Sequence, residues 1–171
     1  NAAKLQALAQ ESLPSEYESL FACPVIITMG RLEKQKAHHY LLKAFAEVKE
    51  MIPQAHLTLL GEGSLKGSLQ ELSHELGIQD SVHFLGWQEN PFRFLARAKV
   101  FVLSSLWEGL PDVLLEALAC GLPTVSFDCR SGPREILASS TPATKQATGI
   151  EQGEYGVLVQ VGRDDLLAKA I

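Results

Sequence analysis

Short apolar runs alternate along this chain with longer amphipathic segments. The runs are rich in β-branched residues and are bounded by Gly, Pro or Ser, so each predicts a buried strand. The predicted strands are Pro24–Gly30, Ala55–Gly61, Val82–Gly86, Val100–Ser105, Pro123–Phe127 and Tyr155–Gln160. The segments between them place apolar residues at helical spacing. The predicted helices are Lys36–Met51, Ser64–Gly77, Pro91–Ala98, a helix from Pro111–Asp112, a turn in "GPREIL" and a last helix in "RDDLLAKAI".

Strands that alternate with helices predict an α/β fold, a Rossmann-like doubly wound parallel sheet of about six strands with both faces covered. Two details are finer: Ser64 is the expected N-cap of its helix, and the Ser/Thr-rich stretch 139–154 is an expected exposed loop. Ligands of such sheets bind beyond the carboxyl ends of the strands. The residues there are Arg31, Glu62–Gly63, Gly86–Trp87, Ser105–Asp112 and Asp128–Gly132.

The composition of the chain excludes several classes of function. The chain has 171 residues, 46% of them hydrophobic and 20% charged, which suits one globular domain. The net charge of −5 argues against nucleic acid as a partner. No apolar run is long enough to span a bilayer. The three cysteines form no C-x-x-C pair, which fits a reducing cytosol. No cluster of residues has metal-ligand spacing, so we predict no metal site.

Arg31 and Lys36 are the first chemical candidates. Arg31 directly follows a strand-ending glycine, and Lys36 stands where the next helix begins. A guanidinium, an ammonium and free helical N–H groups together suit a pyrophosphate. The plainer alternative is that both side chains are exposed on a turn.

The next two strand ends offer weaker candidates. "GEGSLKG" departs from the dinucleotide fingerprint in the place of its third glycine. Gly61 and Gly63 either let the backbone approach a ligand or make a tight bend. Trp87 either lies beside a flat base or packs as a rim aromatic on the following helix.

Glu116 lies in the almost entirely apolar run "VLLEALACGLP". Because Asp112, Glu116 and Cys120 follow at helical spacing, they form a stripe that could simply face solvent. The stripe begins at the ligand edge of the sheet, however, and its flanking residues are apolar. A carboxylate one turn into this helix could instead accept the hydroxyls of a ribose. Glu108, in the loop before the helix, would then lie near another polar part of the ligand.

These residues carry a resemblance. Glu108 and Glu116, with seven residues between them, resemble the E-x7-E motif of retaining glycosyltransferases of the GT-B fold, above all glycosyltransferase family 4, also called group 1. "SGPREI" is similar to a loop of that family. Ala37 departs from it, because the family usually has Gly there. The other matching segments, in chain order, are Gly30-Arg31-Leu32…Lys36, Gly61–Gly63, Phe84–Gly86, Ser105–Pro111 and Glu116–Pro123.

The resemblance implies a role for each residue. Arg31 and Lys36 would hold the donor diphosphate and stabilise its charge as it leaves, and Glu108 would bind sugar hydroxyls. Glu116 would bind the ribose. The remaining residues implied to bind the donor are Gly63, Trp87, Gly109 and Leu110. No metal and no cofactor is implied, and the donor is a UDP- or GDP-sugar, with UDP favoured.

The resemblance also implies that residues 1–171 are one half of a GT-B fold, the C-terminal nucleotide-sugar-binding domain, with residues 1–22 as linker and leading segment. The N-terminal domain, for a glycan or lipid-linked acceptor, would be absent and the fragment inactive alone. The implied setting is polysaccharide or lipopolysaccharide biosynthesis in the cytoplasm, with peripheral membrane association through the missing domain. Two alternatives stay open. A nucleotide-sugar epimerase would release an epimerised sugar without an acceptor, and a non-catalytic nucleotide-sugar-binding module would stay inert with one.

Overall fold

The computed structural model describes residues 2–171. It contains eight α-helices and seven strands in that range, besides three short 3-10 helices. The helices are Ala2–Gln10 (α1), Glu18–Phe21 (α2), His38–Met51 (α3), Lys66–Glu75 (α4), Phe92–Leu95 (α5), Asp112–Ala119 (α6), Pro133–Leu137 (α7) and Asp164–Ala170 (α8). The strands are Val25–Met29 (β1), His56–Leu60 (β2), Val82–Gly86 (β3), Val100–Leu103 (β4), Thr124–Phe127 (β5), Ile150–Gln152 (β6) and Val157–Val159 (β7).

The strands form one sheet in the order β3-β2-β1-β4-β5-β7-β6. Every pairing is parallel except that of β6 with β7, which is antiparallel. The strand order reverses between β1 and β4, so the switch point, where such sheets bind ligands, lies beyond Met29 and Leu103. The predicted doubly wound α/β fold is therefore confirmed, with seven strands instead of six.

Apolar side chains cover both faces of the sheet. On one face, Leu42 and Phe45 of α3 and Leu167 of α8 are fully buried in one core. On the other face, Phe94 of α5 and Leu114 of α6 are fully buried in a second core. Burial on both sides explains why the strands are continuous apolar runs and do not alternate between apolar and polar residues.

Residues 2–22 pack on the second face. Asn90 donates hydrogen bonds from Nδ2 to the Leu8 carbonyl at 2.9 Å and to Glu11 Oε2 at 2.8 Å. The rings of Tyr17 and Phe21 both meet Phe94 edge to face. This leading segment is thus attached to the domain by polar and aromatic contacts.

Two of the finer predictions are wrong. The stretch 139–154 is not only a loop, because it contains β6, whose ends at Ile150 and Gln152 are exposed and gave no apolar signal. Ser64 does not cap α4, which begins at Lys66 after Leu65. Ser64 instead donates two hydrogen bonds to the Glu33 carboxylate, from its N–H at 2.7 Å and from its hydroxyl at 2.8 Å.

Candidate functional site

A cavity of about 400 Å³ opens beyond the switch point. It is lined by residues at and after the ends of β1 and β2, by residues after β3 and by residues of α6. Arg31, Trp87 and Glu116 all line it, so three predicted site residues from distant parts of the chain meet there. Its volume and mixed polar and apolar lining are typical of small-molecule sites.

Lys36 and Glu108 form an ion pair next to this cavity. Lys36 Nζ lies 2.5 Å from Glu108 Oε1, and the two side chains are only 14% and 7% exposed. The Ser105 hydroxyl donates to the same oxygen at 2.6 Å. The Lys36 stem passes close to Gly30, since a Cβ added there would lie 3.1 Å from Lys36 Cε. The pair therefore adjoins the Gly30–Arg31 wall of the cavity.

Backbone contacts join the turn that carries Lys36 to the loop that carries Glu108. Ser104 Oγ donates to the Lys36 carbonyl at 2.8 Å, and the Leu106 N–H donates to the Gln35 carbonyl at 3.0 Å. Gln35 Nε2 in turn donates to the Trp107 carbonyl at 2.9 Å. Three hydrogen bonds thus tie the two segments together. Sequence reasoning missed Gln35, whose only signal was its place one residue before Lys36.

Ala37 turns the chain from the Lys36 turn into α3. It has φ +45° and ψ +42°, the left-handed conformation, and it is buried. Alanine pays a steric cost there that glycine does not pay. The turn Lys34–Lys36 is a 3-10 helix, so α3 begins at His38 and not at Lys36 as predicted.

Glu116 lies on the α6 wall and is partly buried. Burial raises the pKa of its carboxyl above the ordinary value, and the nearby charge of Asp112 adds to the rise. Within residues 2–171 the Glu116 carboxylate has no hydrogen-bond partner. A partly desolvated carboxylate that faces a cavity without a donor suits a ligand with hydroxyl groups.

The predicted site residues Trp87, Gly109 and Leu110 are all exposed. Trp87 is 72% exposed and Leu110 is also exposed. A Cβ added to Gly109 would meet nothing within 4 Å, so the backbone there is open. Gly63 differs, because a Cβ at that position would lie 2.4 Å from the Leu32 carbonyl oxygen. Of the two possibilities for Gly63, ligand approach or a tight bend, this geometry matches the tight bend, in which two backbone segments approach closely.

The loop after β5 contacts the Glu108 loop. Ser131 Oγ donates to the Glu108 carbonyl at 2.6 Å. Gly132 has φ +90°, and a Cβ there would lie 2.2 Å from the Gly109 carbonyl oxygen. Cys129 is buried in the same loop, and burial together with the charge of Glu108 raises the pKa of its thiol to about 11.

A buried cluster of charged side chains packs against the loop after β5. Arg134 is 2% exposed and lies against two carboxylates. Its Nη2 donates to Asp128 Oδ2 at 2.5 Å, and its Nη1 donates to Glu151 Oε1 at 2.9 Å. The Arg134 hydrogen bonds lower the pKa of Glu151 to about 2, with help from Lys145. Sequence reasoning missed this cluster, because its members come from the loop after β5, from α7 and from the unpredicted strand β6.

The described part of the chain, residues 2–171, contains no group of three or more His, Cys, Asp or Glu side chains arranged to hold a metal ion. No helix in the same range combines the length and the apolar character needed to cross a membrane. The cysteines at 23, 120 and 129 are free.

A doubly wound sheet with a cavity at its switch point defines a Rossmann-like domain, and comparison with known proteins shows its family. Residues 22–171 match the family described as glycosyl transferases group 1. The chain is 44% identical over 158 residues to a Methanocaldococcus jannaschii protein named as an uncharacterized glycosyltransferase, MJ1059, covering 92% of this chain and 39% of that one.

Two further relatives agree. Over 171 residues the chain is 32% identical to the N-acetylgalactosamine-N,N'-diacetylbacillosaminyl-diphospho-undecaprenol 4-alpha-N-acetylgalactosaminyltransferase of Campylobacter jejuni, covering 100% of this chain and 42% of that one. The structure of the pneumococcal O-GlcNAc transferase GtfA in complex with UDP and GlcNAc matches with a TM-score of 0.68 and 26% identity, covering 85% of this chain and 27% of that one.

The chain therefore belongs to the group 1 family of glycosyl transferases, and its fold is the Rossmann-like domain of GT-B structures. It spans about two fifths of the length of the two curated relatives, 39% and 42%.

Proposed function

We propose that this chain is the donor-binding domain of a retaining glycosyltransferase and that its donor is a UDP-sugar. One observation carries the proposal: the Lys36–Glu108 ion pair adjoins a cavity that Arg31 and Glu116 line, at the switch point of the sheet. Arg31 and Lys36 supply cations that match the phosphates of a nucleotide sugar, and Glu108 and Glu116 supply carboxylates that match its hydroxyl groups. The pneumococcal relative, solved with UDP and GlcNAc, supports UDP over GDP.

In the proposed reaction the acceptor hydroxyl attacks the anomeric carbon from the face that the diphosphate leaves. A carbon–oxygen bond to the acceptor forms as the bond to the phosphate breaks, and the acceptor proton passes to the departing phosphate. Arg31 and Lys36 stabilise the charge that grows on the leaving group, which is the role of a metal ion in metal-dependent transferases. No metal and no cofactor is required.

Other residues bind and orient the donor. Glu116 accepts the ribose hydroxyls, Trp87 covers one side of the base, and Glu108 accepts sugar hydroxyls. The open backbone at Gly109 and Leu110 adds N–H donors beside the sugar. Gly63 acts indirectly, because its close approach to the Leu32 carbonyl fixes the backbone behind the cavity.

A second domain supplies the acceptor in this proposal. The relatives are more than twice as long as this chain. By its name, the Campylobacter relative acts on a diphospho-undecaprenol-linked saccharide, which supports a glycan or lipid-linked acceptor. The present chain alone then binds the donor but transfers little or no sugar. The proposed location is the cytoplasm, at the inner face of the membrane, through the other domain.

Calorimetry of this chain with UDP, GDP, ADP and their sugars tests the proposal. We expect UDP and UDP-sugars to bind best. Because charge-assisted contacts to phosphate contribute about 1.5–3 kcal/mol each, Arg31→Ala and Lys36→Ala should each weaken UDP binding about tenfold or more. The affinity for uridine should barely change.

Lys34→Ala is the matched control, since Lys34 is an exposed lysine of the same turn. It should leave UDP binding almost unchanged. Failure of the wild-type chain to bind any nucleotide, or an equal loss of uridine and UDP binding in both site variants, would overturn the proposal.

A further inference from the structure

The Glu108 loop is held from both sides. On the β1 side, Gln35 donates to the Trp107 carbonyl at 2.9 Å and lies 3.5 Å from Glu108 Oε2. On the β5 side, the Ser131 hydroxyl donates to the Glu108 carbonyl at 2.6 Å. The second bond joins the loop after β5 to the backbone of the very residue whose carboxylate pairs with Lys36.

The two loops also touch through their backbones. Gly132 follows Ser131, and an added Cβ would lie 2.2 Å from the Gly109 carbonyl oxygen and 2.4 Å from Pro111 Cδ. There is no room between the loops for a side chain. A shift of the 129–132 loop therefore displaces the Glu108 loop, and Ser131 Oγ is the polar contact that holds the two in register.

The residues on both sides of Ser131 are held in place by hydrogen bonds. Asp128, three residues earlier, accepts from Arg134 Nε at 3.1 Å and from the Ala147 N–H at 2.6 Å. The Gly132 N–H donates to Glu135 Oε1 at 3.1 Å. Because Asp128 and Arg134 are buried and ion-paired, the start of this loop is rigid, and the hydroxyl at its tip has a defined place.

We propose that Ser131 is a positioning residue for the sugar end of the donor. Its hydroxyl sets the backbone at Glu108, and thereby the Glu108 carboxylate and the N–H groups of Gly109 and Leu110 that follow. Ser131 acts through the loop and does not touch the nucleotide. This inference rests on the proposed donor-binding function and adds a residue to it.

The competing explanation is that Ser131 only satisfies a carbonyl group. Ser131 is exposed, so water can replace its hydroxyl at the Glu108 carbonyl at almost no cost. Stability measurements cannot separate the two explanations. The gain in affinity that the sugar gives to the nucleotide can separate them. Only a positioning role predicts that this gain falls when the Ser131 hydroxyl is removed.

The experiment measures the dissociation constants of UDP and of UDP-glucose, UDP-galactose and their N-acetylamino forms on the wild-type chain, Ser131→Ala and Ser131→Thr. The readout is the ratio of UDP affinity to the affinity of the tightest UDP-sugar. We expect Ser131→Ala to reduce the contribution of the sugar about threefold or more, the value of one neutral hydrogen bond. UDP itself should bind as in the wild type, and Ser131→Thr, which keeps the hydroxyl, should restore the ratio.

Ser68→Ala is the matched control, since the exposed Ser68 of α4 also donates its hydroxyl to a carbonyl, that of Leu65 at 2.9 Å. It should change neither constant. The inference is wrong if Ser131→Ala leaves the ratio unchanged, if it weakens UDP equally, if Ser131→Thr behaves like Ser131→Ala, or if the wild-type chain binds UDP and every UDP-sugar alike. A wild-type chain that binds no UDP overturns instead the proposed function itself.

Discussion

Lys36 and Glu108, which are 72 positions apart in the sequence, share a nearly buried ion pair of 2.5 Å at the edge of the sheet. The ammonium that we propose for the diphosphate is therefore already neutralised by the carboxylate that we propose for the sugar. In the proposed function, an incoming diphosphate has to compete with Glu108 for this cation. The proposed phosphate and sugar parts of the site would then be coupled through that competition.

The first prediction follows from this competition. Glu108→Gln keeps the shape of the side chain but removes its charge, so Lys36 becomes free for the diphosphate. We expect UDP to bind about threefold or more tighter, because a nearby negative charge in a poorly solvated site is removed. Calorimetry with UDP measures the effect, and UDP-sugars should gain less because sugar contacts are lost.

The pairing also predicts how the effect depends on Lys36. In a Lys36→Met background, Glu108→Gln should no longer tighten UDP binding in the same way, so the two changes are not additive. Glu75→Gln removes an equal charge from the exposed end of α4 and serves as the control. Unchanged or weaker UDP binding by a folded Glu108→Gln variant would show that the pair does not compete with the ligand.

The second prediction concerns Glu116. If its free carboxylate accepts the ribose hydroxyls, Glu116→Gln should weaken UDP binding clearly, since a charged hydrogen-bond partner contributes roughly 1.5–3 kcal/mol. The 2′-deoxy analogue should bind weakly to the wild-type chain and respond much less to the substitution. Both nucleotides are titrated against both proteins.

Asp112→Asn is the control for the loss of charge. Asp112 lies one turn earlier on the same stripe of α6 and is exposed, and it does not line the cavity. It should discriminate between the two nucleotides as the wild type does. If Glu116→Gln binds ribo- and deoxyribonucleotides with wild-type affinities, Glu116 is an ordinary residue of the helix surface.

Local sequence patterns predicted most of the fold, because buried parallel strands are apolar runs and need little context. The runs that became β1 to β5 and β7 all carried this signal. The short strand β6 carried none, since Ile150 and Gln152 are exposed and its place depends on pairing with β7. A pairing between strands is a tertiary fact that a local pattern does not contain.

The same limit applies to the candidate site. Arg31 and Lys36 are predicted because one follows a strand and the other begins a helix at the ligand edge, and Glu108 and Glu116 because a carboxylate one turn into an apolar helix completes a spacing that resembles the E-x7-E motif. Their mutual contacts were not predicted, nor was the hydroxyl that reaches from Ser131 to the Glu108 loop. Those contacts depend on how closely two loops approach each other. Glycines such as Gly132 allow the close approach, but which loop lies opposite such a glycine is known only from the folded structure.

The third prediction concerns the backbone at Ala37. Ala37→Gly relieves about 1–2 kcal/mol of left-handed strain, and this offsets the lost methyl group and the greater chain entropy of glycine. We therefore expect the free energy of unfolding to stay within about 1 kcal/mol of the wild type, and UDP binding to persist.

Ala44→Gly is the matched comparison, because Ala44 is equally buried but lies inside α3 in right-handed backbone. It has no strain to relieve and should lose about 1–2 kcal/mol of unfolding free energy. Urea unfolding of both variants gives the comparison. Equal losses at the two positions would mean that Ala37 is unstrained.

The last prediction is a pH dependence that comes from His38. This histidine, the first residue of α3, is 3% exposed, and its Nδ1 has no hydrogen-bond partner within residues 2–171. Burial lowers its pKa from 6.5 to about 4, and the charges of Lys36 and His39 act in the same direction. The folded chain thus keeps the ring neutral at pH values at which the unfolded chain protonates it.

The sign of the effect follows. Between pH 6.5 and 4 the unfolded state binds a proton at this position that the folded state does not, so the free energy of unfolding falls as the pH falls through this range. The loss from this group alone has an upper limit of about 3 kcal/mol, and it is absent above pH 6.5.

His38→Gln removes the group, so the variant should lose less stability than the wild type on acidification. Urea unfolding at several pH values across the range measures both slopes, and His74→Gln, at an exposed position of α4, is the control for the loss of a histidine. Parallel stability curves for wild type and His38→Gln would show that His38 takes up its proton in the folded state, and that its surroundings are more polar than its burial indicates.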